Sequence, residues 1–249
     1  MHYESGVGHI GGNLSALDLL MCLYHEVLGG DDVFVLSKGH AAGGLYIALW
    51  SIGHLEEDDL RQFHQDGTLL AGHPPPAGIA AIPFATGSLG HGLGLAGGIA
   101  LAKILRAAPG RVYCLLSDGE WNEGSTWEAV IFAAHHKLAN LTFVIDANGL
   151  QGFGTTAEVA DLGSLAEKLR AFGIATLEID GHDPAAIVAA LAGGGSGPGP
   201  LAIVATTIKG CGISFMENRM EWHYLPLTEP LYQQAVSEVL ACATPSAAV

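Results

Sequence analysis

Short runs of apolar residues alternate along the chain with longer segments in which apolar residues recur every three or four positions. The short runs predict buried strands, and the longer amphipathic segments predict helices. The predicted strands are Val33–Leu36, Val112–Ser117, Leu141–Asp146, Ile174–Asp180 and Leu201–Thr206. The predicted helices are Leu14–Leu28, Ala41–Ser51, Glu56–Gln65, Gly90–Arg106, Thr126–Leu138, Leu165–Phe172, Pro184–Ala192 and Leu231–Ala241. Such alternation is typical of an α/β protein with a parallel sheet.

Two segments rich in proline and glycine carry neither pattern. Ala71–Gly87 contains four prolines and is predicted to be a loop, because proline has no N–H donor. Gly193–Pro200 reads GGGSGPGP and is predicted to join a helix to the next strand within one domain. We therefore predict a single domain over residues 1–249, with a flexible tail over about 244–249.

Asn13 or Ser15 is predicted to cap the first long helix.

The composition supports a large core and excludes some partners. Hydrophobic residues make up 49% of the 249 positions, and the net charge is −15. An acidic chain is not expected to bind nucleic acid or an anionic membrane surface. Gly92–Ala102, the longest uninterrupted apolar run of its glycine-rich region, is too short to span a bilayer. The first residues lack a secretory signal and the four cysteines are far apart, so we expect free thiols and a cytoplasmic protein.

Polar residues follow two of the predicted strands, thirty positions apart. Asp118 comes directly after Val112–Ser117, and Asn148 lies just beyond Leu141–Asp146. Ligands of open parallel sheets bind beyond the carboxyl ends of the strands, and oxygen ligands suit Mg²⁺ or Ca²⁺ held with a phosphate. Gly119 lets a backbone N–H approach a diphosphate. The alternative is that Asp118 and Asn148 only cap the turns that follow.

Five histidines lie in loops, most of them rich in glycine, and this suggests a common cleft. They are His9, His40, His73, His91 and His223. Histidine can hydrogen-bond sugar hydroxyls, bind phosphate or transfer protons near neutral pH. Their spacing does not match that of zinc ligands.

Several blocks of the sequence resemble transketolase. They are SGVGHIGGNLSALDLL, VLSKGHAAGGLY, LLAGHP, ATGSLGHGLGLAGGIALA, SDGEWNEGSTWEA, LANLTFVIDANGLQG and TTIKGCGISFMENRMEWH. They extend from Ser5 to about Pro226 and correspond to the half of the family that binds the diphosphate of thiamine diphosphate. The resemblance implies an open, mostly parallel sheet with helices on both faces. It also implies transfer of a two-carbon ketol unit from a ketose, or its phosphate, to an aldehyde.

The resemblance assigns roles residue by residue. Asp118, Asn148 and the carbonyl of Leu150 are implied to hold Mg²⁺, or Ca²⁺ in its place. The implied cofactor contacts are His40, Gly87, Leu89, Gly119, Asn148 and His223, with positive charge from Lys38 and Lys209. His9, His73 and His223 are implied to face substrate hydroxyls, and Glu123 is implied to belong to a carboxylate network between two active sites.

A partner chain is also implied. In this family a glutamate of the pyrimidine-binding domain activates the cofactor, and no acid of this chain matches it. We therefore expect a partner that supplies the pyrimidine-binding and C-terminal domains, in an assembly of two copies of each chain. An apolar interface is expected around the loops of His9, Gly87 and Glu123. Gly152, Phe153 and Tyr224 depart from the family pattern and affect the predicted substrate pocket.

Three alternatives stay open at the level of sequence. One is a related thiamine diphosphate enzyme, such as a deoxyxylulose phosphate synthase or the α-subunit of a dehydrogenase E1. A second is ketol transfer to a carrier-bound acceptor in a biosynthetic pathway. The third is an orphan half that serves as a regulatory binding module rather than an enzyme.

Overall fold

The sheet of this protein is open and entirely parallel. The structure, a computed structural model, describes residues 1–75, 78–194 and 197–243. Its strands are β1 (Val33–Leu36), β2 (Val112–Ser117), β3 (Leu141–Ala147), β4 (Ala175–Asp180) and β5 (Leu201–Thr206). They lie in the order β1-β2-β3-β5-β4. The predicted α/β fold with a parallel sheet is confirmed.

Helices cover both faces of the sheet. They are α1 (His2–Ser5), α2 (Ile10–Cys22), α3 (Ala42–Ser51), α4 (Glu57–Arg61), α5 (Gly92–Leu105), α6 (Gly124–His135), α7 (Thr156–Ala160), α8 (Leu165–Ala171), α9 (Pro184–Ala192) and α10 (Glu229–Ala243). α2, α3 and α9 pack on one face, whereas α5, α6 and α8 pack on the other. Right-handed crossovers explain why α9 lies opposite α6 and α8, because the step from β4 back to β5 reverses the direction of travel across the sheet.

The first long helix differs most from its prediction. It begins at Ile10 rather than Leu14, and it ends at Cys22 before a π-helical turn over Leu23–Val27. Asn13 and Ser15 therefore lie inside the helix, and the prediction that either caps it is wrong. Their side chains make tertiary contacts instead: the amide oxygen of Asn13 accepts the Gly44 N–H at 2.6 Å, and Ser15 binds the Asp146 carboxylate at 2.7 Å.

Other elements match their predictions closely. Val33–Leu36, Val112–Ser117, Leu201–Thr206 and Pro184–Ala192 have the predicted bounds. α7 was not predicted, although Thr155 and Glu158 form the capping box that announces it. All four cysteines are free thiols, as predicted.

Parts of three predictions lie outside the described residues. They are the tail over 244–249 and short stretches of the two loops, at 76–77 and 195–196. Within the described ranges, none of the helices combines the length and apolar character that crossing a bilayer requires.

Candidate active site

The predicted cation ligands lie where two neighbouring strands end. Ser117 of β2 pairs with Asp146 of β3, so the residues after these strands emerge side by side. The Asp118 carboxylate accepts the N–H of Gly119 at 2.7 Å through one oxygen and that of Gly149 at 2.6 Å through the other. Each oxygen keeps a lone pair for a further ligand. Burial, together with the nearby Asp146 carboxylate, raises the pKa of Asp118 to about 6.

The other two predicted ligands lie in the loop that contacts Asp118. The amide oxygen of Asn148 accepts the Leu150 N–H at 3.0 Å, and the Asn148 amide nitrogen lies 3.4 Å from the Ser15 hydroxyl. The carbonyl of Leu150 accepts the Lys209 ammonium at 3.2 Å. The structure thus brings the three predicted ligands to one edge of the sheet.

Lys209 is a buried cation without a carboxylate. Its side chain is almost wholly enclosed, and its ammonium also donates to Nδ1 of His223 at 3.0 Å. Among the described residues, no carboxylate oxygen lies within 4.0 Å of it. Burial, followed by repulsion from Lys38, lowers the pKa of Lys209 to about 8. A buried ammonium of this kind is poised for an anionic ligand.

Lys38 has the opposite surroundings. Its ammonium is fully buried, forms an ion pair with Asp146 and donates to the carbonyl of Gly12 at 3.0 Å. The Asp146 carboxylate also accepts the hydroxyls of Ser15 and Thr207. Although burial acts to raise it, Lys38 and these hydroxyls hold the pKa of Asp146 below its usual range. We call Ser15, Lys38, Asp146 and Thr207 the floor cluster; the predicted role of Lys38 near a phosphate stays a prediction.

Four of the five loop histidines meet in what we call the histidine cluster, consisting of His9, His40, His73 and His223. The ring of His9 lies 5.6 Å from that of His40, 6.1 Å from that of His73 and 5.0 Å from that of His223. Burial, and then neighbouring cations and histidines, lowers the pKa of His9 to about 4 and that of His223 to about 3. These rings are therefore neutral at pH 7 and can each donate and accept hydrogen bonds.

His9 adopts a left-handed backbone conformation, with φ 68° and ψ 5°. Its N–H donates to the carbonyl of His223 at 3.1 Å, and its own carbonyl accepts the side-chain amide of Asn13 at 2.7 Å. Such a conformation in a residue other than glycine costs roughly 1–3 kcal/mol and is common where a side chain must be held in a functional position. This backbone conformation directs the His9 ring into the cluster.

The loop that carries Gly87 and Leu89 packs against the histidine cluster. A Cβ at Gly87, whose φ is 141°, would lie 2.6 Å from Cδ2 of His73, so only glycine fits there. The loop is held by Glu120, a buried carboxylate that accepts the N–H of Gly90 at 2.8 Å and the hydroxyl of Ser37. Burial raises the pKa of Glu120 despite these bonds.

The comparison with known proteins decides the family. Residues 3–239 match the family described as "Transketolase, thiamine diphosphate binding domain". The chain belongs to the transketolase family. The match confirms the predicted enzyme class, a subunit of a thiamine diphosphate-dependent transketolase.

The most similar relatives include separate transketolase subunits. An apulose-4-phosphate transketolase subunit of Actinobacillus succinogenes is 38% identical over 87% of this chain and 82% of its own length. The 6-deoxy-6-sulfo-D-fructose transketolase subunit SqwG of a Clostridium species is 38% identical over 94% of this chain and 89% of its own length. Transketolase from Leishmania mexicana superposes with a TM-score of 0.85 at 25% identity, over 96% of this chain and 42% of that chain.

The residues present suit the transketolase cofactor. A diphosphate with its cation needs a carboxylate with free lone pairs and a cation that no internal carboxylate neutralises. Asp118 and Lys209 meet these two needs. A Cβ at Gly119 would lie 3.0 Å from the side chain of Gln151, so a larger residue in this turn would require that side chain to shift.

Two of the predicted residues lie apart from this arrangement. His91 is exposed, and its Nδ1 lies 3.0 Å from the carbonyl of Leu89. Within the described part of the chain, its ring contacts no member of the histidine cluster, so its place in a common cleft is not supported. Glu123 is exposed beside Gly90, where a Cβ would lie 2.7 Å from Cβ of Glu123. Its role in a network between two active sites stays a prediction.

Sequence reasoning missed the groups that support the transketolase site. The floor cluster could have been recognised from Asp146, the acidic residue of a mostly apolar strand. Glu120 gave no signal of its burial. His182 also went unnoticed: its Nε2 accepts the N–H of Ile208 at 2.9 Å, while its Nδ1 donates to the carboxylate of Asp18 at 2.7 Å. It thereby anchors the segment that leads into Lys209.

Proposed function

We propose that this chain binds the diphosphate of thiamine diphosphate through a divalent cation and, with a partner subunit, transfers a two-carbon ketol unit from a ketose to an aldehyde. One observation carries the proposal. The buried ammonium of Lys209 has no carboxylate partner among the described residues, yet it lies against the same loop as Asp118. An anion accompanied by its own cation satisfies both groups.

Asp118, Asn148 and the Leu150 carbonyl are the proposed ligands of Mg²⁺, which Ca²⁺ could replace. A carboxylate, an amide oxygen and a carbonyl are hard oxygen donors, and they leave room for phosphate oxygens on the cation. Lys209, His40, His223 and the N–H of Gly119 are proposed to contact the cofactor. When bound, thiamine diphosphate supplies the electron sink for cleavage of the carbon–carbon bond.

The histidine cluster is proposed to bind the substrate. Neutral imidazoles can donate to one sugar hydroxyl and accept from another without attracting a second anion. His9, His73 and His223 are proposed to orient the ketose in this way, with Gly87 and Leu89 forming a wall beside the cofactor. The fixed backbone of His9 limits the reorganisation that substrate binding requires.

A second subunit is the proposed source of the remaining groups. The relatives from Actinobacillus succinogenes and Clostridium are named as transketolase subunits, a name that implies at least one further subunit in those proteins. By contrast, human transketolase, which is 37% identical, has only 39% of its length matched by this chain. We propose that the partner carries the pyrimidine-binding domain and its activating glutamate, with two copies of each chain in the assembly.

The chemistry of the substrate is proposed from the same relatives. Their names give a sugar phosphate and a sulfonated sugar as substrates. A ketose with an anionic group at its far end is therefore the proposed donor class. Localisation in the cytoplasm stays a prediction from cysteine usage.

The test is reconstitution from two purified subunits. The chain is assayed alone and with its partner, using Mg²⁺, thiamine diphosphate, fructose 6-phosphate as donor and an aldose phosphate as acceptor. We expect ketol transfer only with both subunits present, and its loss on chelation of the cation. Full activity of the isolated chain would refute the need for a partner, whereas no cofactor binding by either preparation would refute the site.

A further inference from the structure

An exposed aromatic side chain borders the histidine cluster. Tyr224 follows His223 directly, and the two rings lie 4.7 Å apart with an interplanar angle of 68°. The Tyr224 ring also lies 6.3 Å from that of His9. Its side chain is 52% exposed, and its hydroxyl has no hydrogen-bond partner in the described part of the chain. The phenol thus offers a free donor and acceptor next to two proposed substrate ligands.

The backbone beneath this ring is fixed. The Tyr224 N–H donates to the carbonyl of Glu221 at 3.0 Å. On its other side the chain presses against Gly8, where a Cβ would lie 2.4 Å from the Tyr224 carbonyl oxygen. The backbone that carries the ring is therefore held by the fold.

A side chain at position 152 would meet the phenol of Tyr224. A Cβ at this position would lie 2.1 Å from the Tyr224 hydroxyl and 3.0 Å from its Cζ. The backbone of Gly152 is outside the left-handed region, so conformation alone does not demand glycine there. The two residues thus depend on each other: the phenol occupies this space because residue 152 has no side chain, and a larger residue at 152 would displace the phenol.

We propose that Tyr224 is a substrate-binding residue whose hydroxyl hydrogen-bonds an uncharged hydroxyl of the ketose, in space that Gly152 leaves open. The proposal rests on the proposed ketol transfer and refines its substrate site. An uncharged phenol favours a hydroxyl over a phosphate or sulfonate, because these anions bind most strongly to charged donors. The anionic end of the sugar lies elsewhere.

The first measurement compares Tyr224→Phe with the parent in the complete assembly with its partner. Loss of one neutral hydrogen bond is expected to lower kcat/KM roughly 2- to 12-fold. Fructose 6-phosphate and fructose should be affected alike, because they differ only in the phosphate. Cofactor affinity and the urea midpoint should not change. The control, Tyr232→Phe, removes a hydroxyl from a tyrosine that stacks on Tyr3 at 4.3 Å, away from the site, and should have no effect.

The second measurement is a double-mutant cycle. Gly152→Ala is expected to lower kcat/KM in the parent, where it displaces the phenol, but to have little effect in a Tyr224→Gly background. Equal effects in both backgrounds would overturn the coupling. An unchanged kcat/KM in Tyr224→Phe, or a loss confined to fructose 6-phosphate, would overturn the hydroxyl contact.

A further readout separates this proposal from the proposed function. Binding of fructose 6-phosphate and fructose is measured by calorimetry on the cofactor-free assembly, for the parent and for Tyr224→Phe. Weaker binding of both sugars supports the role of Tyr224, and equal binding contradicts it. Absence of ketol transfer from the parent assembly contradicts the proposed function, and the calorimetric comparison then decides the role of Tyr224.

Discussion

Two regions at the same edge of the sheet contain the same pair of charges but differ in how they are satisfied. In the floor cluster, the ammonium of Lys38 contacts the carboxylate of Asp146, and hydroxyls complete the hydrogen bonding. We call Asp118 and Lys209 the rim. These two residues have backbone and imidazole partners but no opposite charge within ion-pair distance among the described residues. The pKa values agree with this difference: that of Asp146, which has an ammonium partner, is lowered, and that of Asp118, which has none, is raised to about 6.

The difference separates groups that hold the fold from groups that await a ligand. A buried charge with a complete set of internal partners stabilises the site only as long as every partner is present. A buried charge without one costs free energy that a bound counter-charge recovers. The floor cluster therefore fixes the strand ends, and Asp118 and Lys209 are the groups that we propose bind the cofactor. The following substitutions test this division, from the largest expected effect to the smallest.

Lys38→Met should give the largest loss of stability. It leaves the Asp146 carboxylate buried without its cation, which costs about 3–5 kcal/mol in comparable cases. Urea unfolding followed by circular dichroism measures the change. The control is Lys168→Met, at an exposed position of α8, which should stay within about 0.5 kcal/mol of the parent. A small effect of Lys38→Met would mean that the floor cluster does not hold the strand ends.

Asp118→Ala should leave the fold nearly intact and abolish cofactor binding. The substitution removes the carboxylate that we propose binds the cation together with the diphosphate, so the Kd of thiamine diphosphate with Mg²⁺ should rise more than about 100-fold. Calorimetry on the complex with its partner gives the affinity, and the urea midpoint gives the stability. An unchanged cofactor affinity would remove Asp118 from the rim site.

Lys209→Met tests the rim cation with the same substitution as Lys38→Met. Because no carboxylate is left unpaired, stability should be unchanged or slightly greater. Loss of a charge-assisted hydrogen bond should weaken cofactor binding by about 1.5–3 kcal/mol, or roughly 10- to 150-fold. If both lysine variants destabilised the protein equally, the contrast between floor and rim would be wrong.

His73→Ala should affect turnover more than cofactor binding. His73 lies at the side of the histidine cluster against Gly87, away from the floor cluster. Loss of one neutral hydrogen bond to the sugar should lower kcat/KM roughly 2- to 12-fold. Steady-state kinetics and cofactor titration on the same preparation separate the two effects. A weaker cofactor with normal turnover at saturation would assign His73 to the rim instead.

His9→Asn should give the smallest effect, a change in how stability depends on pH. The fold holds the pKa of His9 near 4 against a usual value of 6.5, so the unfolded chain binds more protons between these values. The free energy of unfolding should therefore fall as pH decreases through this range. Asparagine tolerates the left-handed backbone and does not titrate. The unfolded and folded states of the variant should therefore differ less in bound protons, and its free energy of unfolding should depend less steeply on pH. An unchanged slope in urea titrations at several pH values would contradict the assignment.

The sequence by itself determined much of this protein. The spacing of apolar runs predicted all five strands, and the polar residues after β2 and β3 predicted the cation site, because parallel strands end at one edge of the sheet. Thr155 and Glu158 also carried a helix signal that would have revealed α7. The start of α2 could not be predicted from periodicity, since Gly11 and Gly12 add no side chains to the pattern.

Tertiary structure alone decided the roles of the two lysines. Lys38 and Lys209 both lie in polar, glycine-rich segments, and local sequence treats them alike. Only the pairing of β1 with β2, and of β2 with β3, brings Lys38 to Asp146, whereas the segment after β5 carries Lys209 past the Leu150 carbonyl to His223. The same holds for Gly152 and Tyr224, which are far apart in the chain and share one volume in space. Ion pairs and steric exclusion depend on residues that are close in space but distant in sequence, so a local sequence pattern does not predict them.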